Sequence, residues 1–256
     1  MDINQVITGE LGVKRWQVDA AVKLIDEGNT IPFIARYRKE VTGTLDDAQL
    51  RTLHERLMYL RNLEEKKEQV LASIEEQGKL TEELKKQILA AETMVVVEDL
   101  YRPYRPKRRT RAMIAKEKGL EPLAALITLQ KAEKPIEVYA EEYVNPEKEV
   151  KSVKEAIDGA KDIIAESVSD EADYRSWIRK ATVQHGKVIS QAKDEKAESV
   201  YEMYYDFEEP VTKLAGHRVL ALNRGEKEKF LTVKVEAPDA QIVNALNKTM
   251  IKDNPN

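Results

Sequence analysis

The sequence holds no cysteine, and only 10 glycines and 9 prolines in 256 residues. The missing thiols exclude a disulfide scaffold, cysteine-based catalysis and cysteine-ligated zinc, and they suit a cytosolic compartment. With so few backbone breakers, the many Glu, Lys, Leu and Ala residues favour helix over sheet. Long hydrophobic runs are also missing. The densest one, Met94-Val95-Val96-Val97, is far shorter than the roughly 18 residues a membrane span requires. The opening residues Met1-Asp2-Ile3-Asn4-Gln5 have neither the basic nor the apolar stretch of a secretory signal. A cytoplasmic protein that engages no membrane is expected.

What is present is a chain with 42% hydrophobic and 34% charged residues, apolar enough for a sizeable core and too apolar for disorder. The net charge is −4. The molecule as a whole therefore does not attract nucleic acid, and any such contact must come from a local basic patch.

Apolar spacing and capping signals predict a run of helices. Residues 2–11 form a first short one, stopped by Gly12. A second covers 14–27, with Val18, Ala21, Val22 and Ile25 on one face, and Gly28 and Asn29 ending it. Thr30-Ile31-Pro32 starts a third, with proline in its first turn. Thr44 then reads as an N-cap, with Asp47 three residues on, and no glycine or proline follows until Gly78. Leu50, Leu53, Leu57 and Leu60 share one frame, which lands on Glu64 and Lys67 before recovering at Leu71 and Ile74. This predicts a helix of about 30 residues and about 45 Å, partly solvated around 64–68. Thr81 and Thr93 cap two shorter helices. Further helices are expected over 112–118, 121–129, 135–142, 150–168 and 171–184.

The character changes after Gly186. Residues 187–190 and 230–235 read as strands, and 219–222 as a helix closed by Gly225, with Glu208-Glu209 as a loop edge before Pro210. Residues 239–250 look helical but lead only to a short polar tail, so weak order is expected there and the chain reads as truncated. The fold class predicted is mainly α: an elongated multi-helix array with one long helix and a small α/β element near the C-terminus. The expected division is 1–186 and 187–256.

Residues 101–111 carry the sharpest signal for function. Arg102, Arg105, Lys107, Arg108, Arg109 and Arg111 are basic, and Tyr101 and Tyr104 lie among them. Pro103 and Pro106 forbid a helix and favour a polyproline-II path with three residues per turn. On that path Arg102, Arg105, Arg108 and Arg111 form a rail, with Tyr101, Tyr104 and Lys107 beside it, which suits a phosphate backbone with stacked bases. The same arginines could instead pair with carboxylates on neighbouring helices or meet a protein partner. A second basic group, Arg36-Tyr37-Arg38-Lys39 with Lys14 and Arg15, reads as a solvated helix face. Tyr201, Tyr204, Tyr205 and Phe207 read as core or an inter-domain face.

No catalytic constellation is seen. His54, His185 and His217 lack metal spacing, and there is no phosphate loop, dinucleotide fingerprint or nucleophile elbow. No metal, cofactor or enzymatic activity is expected.

The strings Ile31-Pro32-Phe33-Ile34-Ala35-Arg36-Tyr37-Arg38-Lys39-Glu40-Val41-Thr42-Gly43 and Leu45-Asp46-Asp47 resemble the start of the Tex-like family of bacterial transcription accessory proteins. So do Leu100-Tyr101-Arg102-Pro103-Tyr104-Arg105-Pro106-Lys107-Arg108-Arg109-Thr110-Arg111-Ala112 and His217-Arg218 with Asn223-Arg224-Gly225-Glu226. The resemblance implies a cytoplasmic, nucleic-acid-binding protein linked to transcription, whose longer chain continues with ribonuclease-H-like, helix-hairpin-helix and S1 domains. It also implies a eukaryotic relative that travels with the polymerase. The resulting expectation is a non-enzymatic region that binds RNA or DNA weakly and without sequence preference. The alternative is a protein-interaction module that docks on the transcription machinery, RNA polymerase included, without touching nucleic acid.

Overall fold

In the computed structural model, which describes residues 1–252, well over half of the residues are helical. They divide into two compact units, Met1–Tyr104 and Arg105–Asn256. The expected change of character at residue 187 is where the first strand begins, whereas the compact units meet inside the basic segment.

The first unit holds six helices: α1 (Ile3–Leu11), α2 (Arg15–Asp26), α3 (Ile31–Tyr37), α4 (Asp47–Glu76), α5 (Glu82–Ala90) and α6 (Met94–Tyr101). Local chemistry sets their ends. Asp2 accepts the Gln5 N–H at 3.0 Å to open α1, and Gly12 closes it at φ 63°. Thr81 and Thr93 cap α5 and α6 as expected.

The long helix α4 starts two residues later than Thr44 implied. The Asp46 carboxylate accepts the Gln49 N–H at 2.7 Å, and the Gln49 side chain accepts the Asp46 N–H at 3.1 Å. Thr44 instead has φ 66° and donates its N–H to the Lys39 carbonyl at 2.8 Å, so it belongs to the turn leaving α3. On α4 the buried stripe is Leu50, Leu53, Leu57, Leu60, Leu63, Lys67, Val70 and Ile74. Against it pack α1, α2, α3, α5 and α6.

Lys67 lies inside this stripe, not in a solvated stretch, and is 2% exposed. Its ammonium donates to the Leu89 carbonyl at 2.9 Å, one of the last carbonyls of α5, and lies 2.8 Å from Glu64 Oε1. The lysine therefore serves as a C-terminal cap delivered through the core, which is why a charge is tolerated there.

The second unit starts with α7 (Arg111–Glu117), α8 (Glu121–Leu129), α9 (Ile136–Ala140), α10 (Val153–Asp170) and α11 (Ala172–His185). Its helical core is rich in small side chains, among them Ala112, Ala115, Ala124, Ala140, Ala156 and Ala160. Helices approach closely here: a Cβ on Gly159 of α10 would lie 2.4 Å from Leu120 Cδ1.

A three-stranded antiparallel sheet follows, with β1 (Lys187–Ala192) between β2 (Asp206–Pro210) and β3 (Leu231–Glu236). Glu208-Glu209, expected at a loop edge, lie within β2. An edge strand tolerates both the carboxylates and the terminal proline, and Lys187 across the pair meets Glu208 at 2.5 Å. Helix α12 (Gly216–Lys227) covers the sheet and runs past Gly225, which is no cap. A Cβ there would lie 2.5 Å from Leu231 Cδ1, so this glycine marks close packing on β3. Tyr201 and Tyr204 fill the core of this element, with Tyr205 and Phe207 packed against them.

The last helix, α13 (Asp239–Met250), is tied down at its end. The Gln130 side-chain amide donates to the Met250 carbonyl at 2.7 Å, and its oxygen accepts the Lys252 N–H at 2.7 Å. Residues 239–250, where weak order is expected from sequence, thus form a helix held at its end, and residues 253–256 lie outside the described residues.

Two outcomes are expected from this architecture. Lys67→Met should lower unfolding free energy in urea by about 3 kcal/mol, the low end for a broken buried pair, because Glu64 keeps the Met1 ammonium on its other oxygen. Acid should weaken the first unit through carboxylates held below their ordinary range. The Arg61 fork bonds both Asp26 oxygens at 2.7 and 2.8 Å, and lowers the Asp26 pKa from 3.8. A lowered carboxylate stabilises the fold at pH above its unfolded value, and that stability is lost as pH falls through the folded value. Arg61→Met should therefore lower the melting temperature at neutral pH, by an amount equivalent to no more than about 1 kcal/mol for so exposed a pair. The gap from the parent chain should narrow as pH falls below 3.8 and through the lower folded value of Asp26.

Candidate nucleic-acid interface

The basic segment does not follow one polyproline path. Arg102 is helical, at φ −52° and ψ −41°, and Tyr104 donates its N–H to the Tyr101 carbonyl at 2.9 Å, so this part is a tight turn at the end of α6. Only residues 106–110 lack regular structure, and Arg111 opens α7 behind the Thr110 cap. The expected rail of Arg102, Arg105, Arg108 and Arg111 is thus broken at both ends.

In the first unit, both tyrosines pack against the α4 core. The Tyr101 hydroxyl lies 3.0 Å from Ser73 Oγ, and the Lys66 ammonium sits 5.9 Å from the centre of its ring. The Tyr104 carbonyl accepts from Gln77 at 3.0 Å. These rings are therefore occupied as packing and are not presented as stacking surfaces. Arg102 is exposed and engages other residues.

In the second unit, Lys107 is half-buried between Asp170, which it contacts directly, and Glu166 at 3.4 Å, both on α10. Arg109 meets Glu117 at 2.8 Å, and Arg111 lies 3.4 Å from Asp162. Arg105 is exposed and also engages other residues. Arg108 is exposed and forms no ion pair or hydrogen bond among the described residues. Lys107 and the Thr110 cap pin the backbone on either side of it. Arg111 and Asp162 also line a cleft of about 250 Å³ floored by Ile114, Ala115 and Leu120.

The other basic group gives a sharper picture than its sequence reading. On α3, Phe33 and Tyr37 are ring neighbours, 5.3 Å between centroids, and the Arg38 guanidinium lies 5.1 Å over Phe33. Residues 38–43 form the turn into α4. Its Gly43 has φ 60°, and a Cβ there would lie 2.3 Å from Trp16 Cη2, so the indole lies against this glycine. Gln17 holds the same turn, donating to the Gly43 carbonyl at 2.8 Å. Trp16 and Phe33 carry no periodic signal that marks them as functional. The sign available in sequence was aromatic residues set beside basic ones.

No group of three or more His, Asp or Glu side chains with metal-holding geometry occurs among the described residues. Among the described residues, no helix is long and apolar enough to cross a membrane.

Comparison with known proteins bears directly on these features. The Tex-like protein N-terminal domain matches residues 1–75, and the Tex central region-like domain matches residues 130–254. An uncharacterized protein, YdcI, of Bacillus subtilis is 47% identical over 254 residues, which covers 98% of this chain and 35% of that protein. The transcriptional accessory protein Tex of Neisseria gonorrhoeae is 44% identical over 241 residues, 92% of this chain and 31% of its own. A human S1 RNA-binding domain-containing protein 1 is 31% identical over 248 residues, 93% of this chain and 24% of its own. The chain spans about a third of the length of these bacterial relatives. With two of the family's domains matched in succession and a relative named for the family 44% identical over 92% of this chain, the chain belongs to the Tex-like family.

Proposed function

We propose that this chain is a non-enzymatic, cytoplasmic helical region of a transcription accessory factor, and that it contacts nucleic acid weakly through the exposed arginines of residues 105–111. The observation that carries this reading is Arg108. It is exposed and lacks a partner among the described residues, in a chain where acids outnumber bases, on a backbone pinned by its neighbours. The relatives named for transcription and for RNA binding support the same reading. Binding through a handful of phosphates against a net charge of −4 is expected to be weak and indifferent to sequence.

A specific observation favours a second reading, an architectural or protein-docking module that orients neighbouring domains or meets RNA polymerase. Lys107 and Tyr101 serve packing, so part of the basic segment has a structural task.

The two readings separate by salt titration of the full chain with a short single-stranded oligonucleotide. Replacing Arg105, Arg108 and Arg109 by Ala should flatten the log–log salt slope by about 2, from a contribution of roughly 0.7 per phosphate contact, with the melting temperature nearly unchanged. An unchanged slope with a clearly lower melting temperature would decide for the architectural reading. By contrast, Lys107→Ala removes a cation from two α10 carboxylates and should cost about 2 kcal/mol of stability. Its effect on the slope should not exceed about 0.7. No nuclease or nucleotide-hydrolysing activity is expected, since the sequence lacks acid/base and metal sets. Metal-dependent cleavage that disappears on changing one carboxylate of this chain would overturn that part.

A further inference from the structure

The chain has fifteen aromatic residues, and only four are more than about a third exposed: Trp16 (51%), Phe33 (36%), Tyr37 (55%) and Trp177 (40%). Three of the four lie within 22 residues of sequence, on α2 and α3 of the first unit. Singly exposed rings need no explanation, but a group of them beside unbalanced charge does.

The charge around them is unbalanced. On the first four helices, Arg15 pairs with Asp2 and Asp19, Arg51 with Asp47, Arg56 with Glu10, and Arg61 with Asp26. The arginines there without an ion pair, Arg36 and Arg38, both belong to α3 and its following residue. Lys39 and Lys14, which flank the same turn, also form no ion pair among the described residues. From Thr30 to Leu45 the sole acidic residue is Glu40.

We infer that Phe33, Tyr37 and Trp16, with Arg36, Arg38 and Lys39, form a stacking surface for single-stranded nucleic acid, separate from the basic segment at 105–111. Exposed rings beside cations that form no ion pair match a strand whose bases are unstacked and whose phosphates run alongside. Duplex bases are not available for such stacking. An acidic peptide would satisfy the cations but not the rings. Phe33, Tyr37 and Arg38 already touch one another without any ligand. Tyr37 leans on Phe33, Phe33 is covered by Arg38, and Arg38 also donates to the Tyr37 carbonyl at 3.0 Å. Tyr37 is thus the most open ring, and Trp16, seated on Gly43, keeps about half of its surface free. This surface supplies what the basic segment lacks, since Tyr101 and Tyr104 are partly buried against the α4 core.

Trp16 makes the test direct. In the full chain carrying Trp177→Phe, a short oligothymidine should quench Trp16 fluorescence saturably, and a duplex of equal length should not. Tyr37→Ala should weaken oligothymidine binding at least about fivefold, as loss of one stacked base does, while Tyr37→Phe should keep it. Arg36→Ala with Lys39→Ala should flatten the log–log salt slope by about 1.4. Because all three altered side chains are exposed, melting temperatures should stay within a few degrees, and the slope measurement stands even if the Tyr37 variant is destabilised. Replacing Arg105, Arg108 and Arg109 should leave the quenching intact, so failure of the first binding reading does not carry this one down. The inference is overturned if Trp16 fluorescence is silent while labelled oligothymidine still binds. It is equally overturned if Tyr37→Ala binds as tightly as the parent, or if polyglutamate displaces the strand as well as unlabelled oligothymidine does.

Discussion

Burial of one face of α4 is the interaction on which the first unit rests. The helices that pack on it have between 7 and 12 residues, too short to persist alone in water. Each buried leucine of the stripe contributes about 1.5–3 kcal/mol, and that shared surface converts five marginal helices into one body. It also fixes what can lie outside. α3 is anchored by Ile34, which is fully buried, so Phe33 and Tyr37, to either side of it in sequence, are left facing outward. The exposed rings are thus a geometric result of which residue of α3 faces the core.

Charge in this protein is mostly spent on geometry. Lys67 ends α5 through the core, and Lys107 joins the start of the second unit to α10. Arg56 and Arg61 fasten α4 to α1 and α2. Against that background, a cation without a partner is informative because partners are plentiful. Most cations of the basic segment engage partners, whereas Arg36, Arg38 and Lys39 form no ion pair among the described residues.

Helices and their caps were largely legible in the sequence because the evidence for them is local. Asp2, Thr81, Thr93 and Thr110 act within three residues, and the 3.6-residue period of α4 needs no knowledge of its neighbours. The misreadings have tertiary causes. Thr44 reads as a cap until the turn from Lys39 claims its N–H. Lys67 reads as solvated until the end of α5 is seen to lie against it. Gly225 reads as a stop until Leu231 and Tyr201 are placed over it. The strand β2 is hidden by its own carboxylates, since only pairing with β1 and Lys187 makes them acceptable. At the candidate site, composition found the arginines but could not tell a tyrosine bonded to Ser73 and packed against α4, as Tyr101 is, from one open to solvent, as Tyr37 is.

The amide of Gln130 behaves toward residues 250–252 as a neighbouring strand would, giving one N–H and taking one. Both of these bonds are to main chain. The join at the end of α13 is therefore indifferent to the identity of the residues it grips, provided that residue 252 is not proline. Substitutions at residues 250–252 therefore leave both bonds available, and the end of α13 keeps its place beside Gln130 through its backbone.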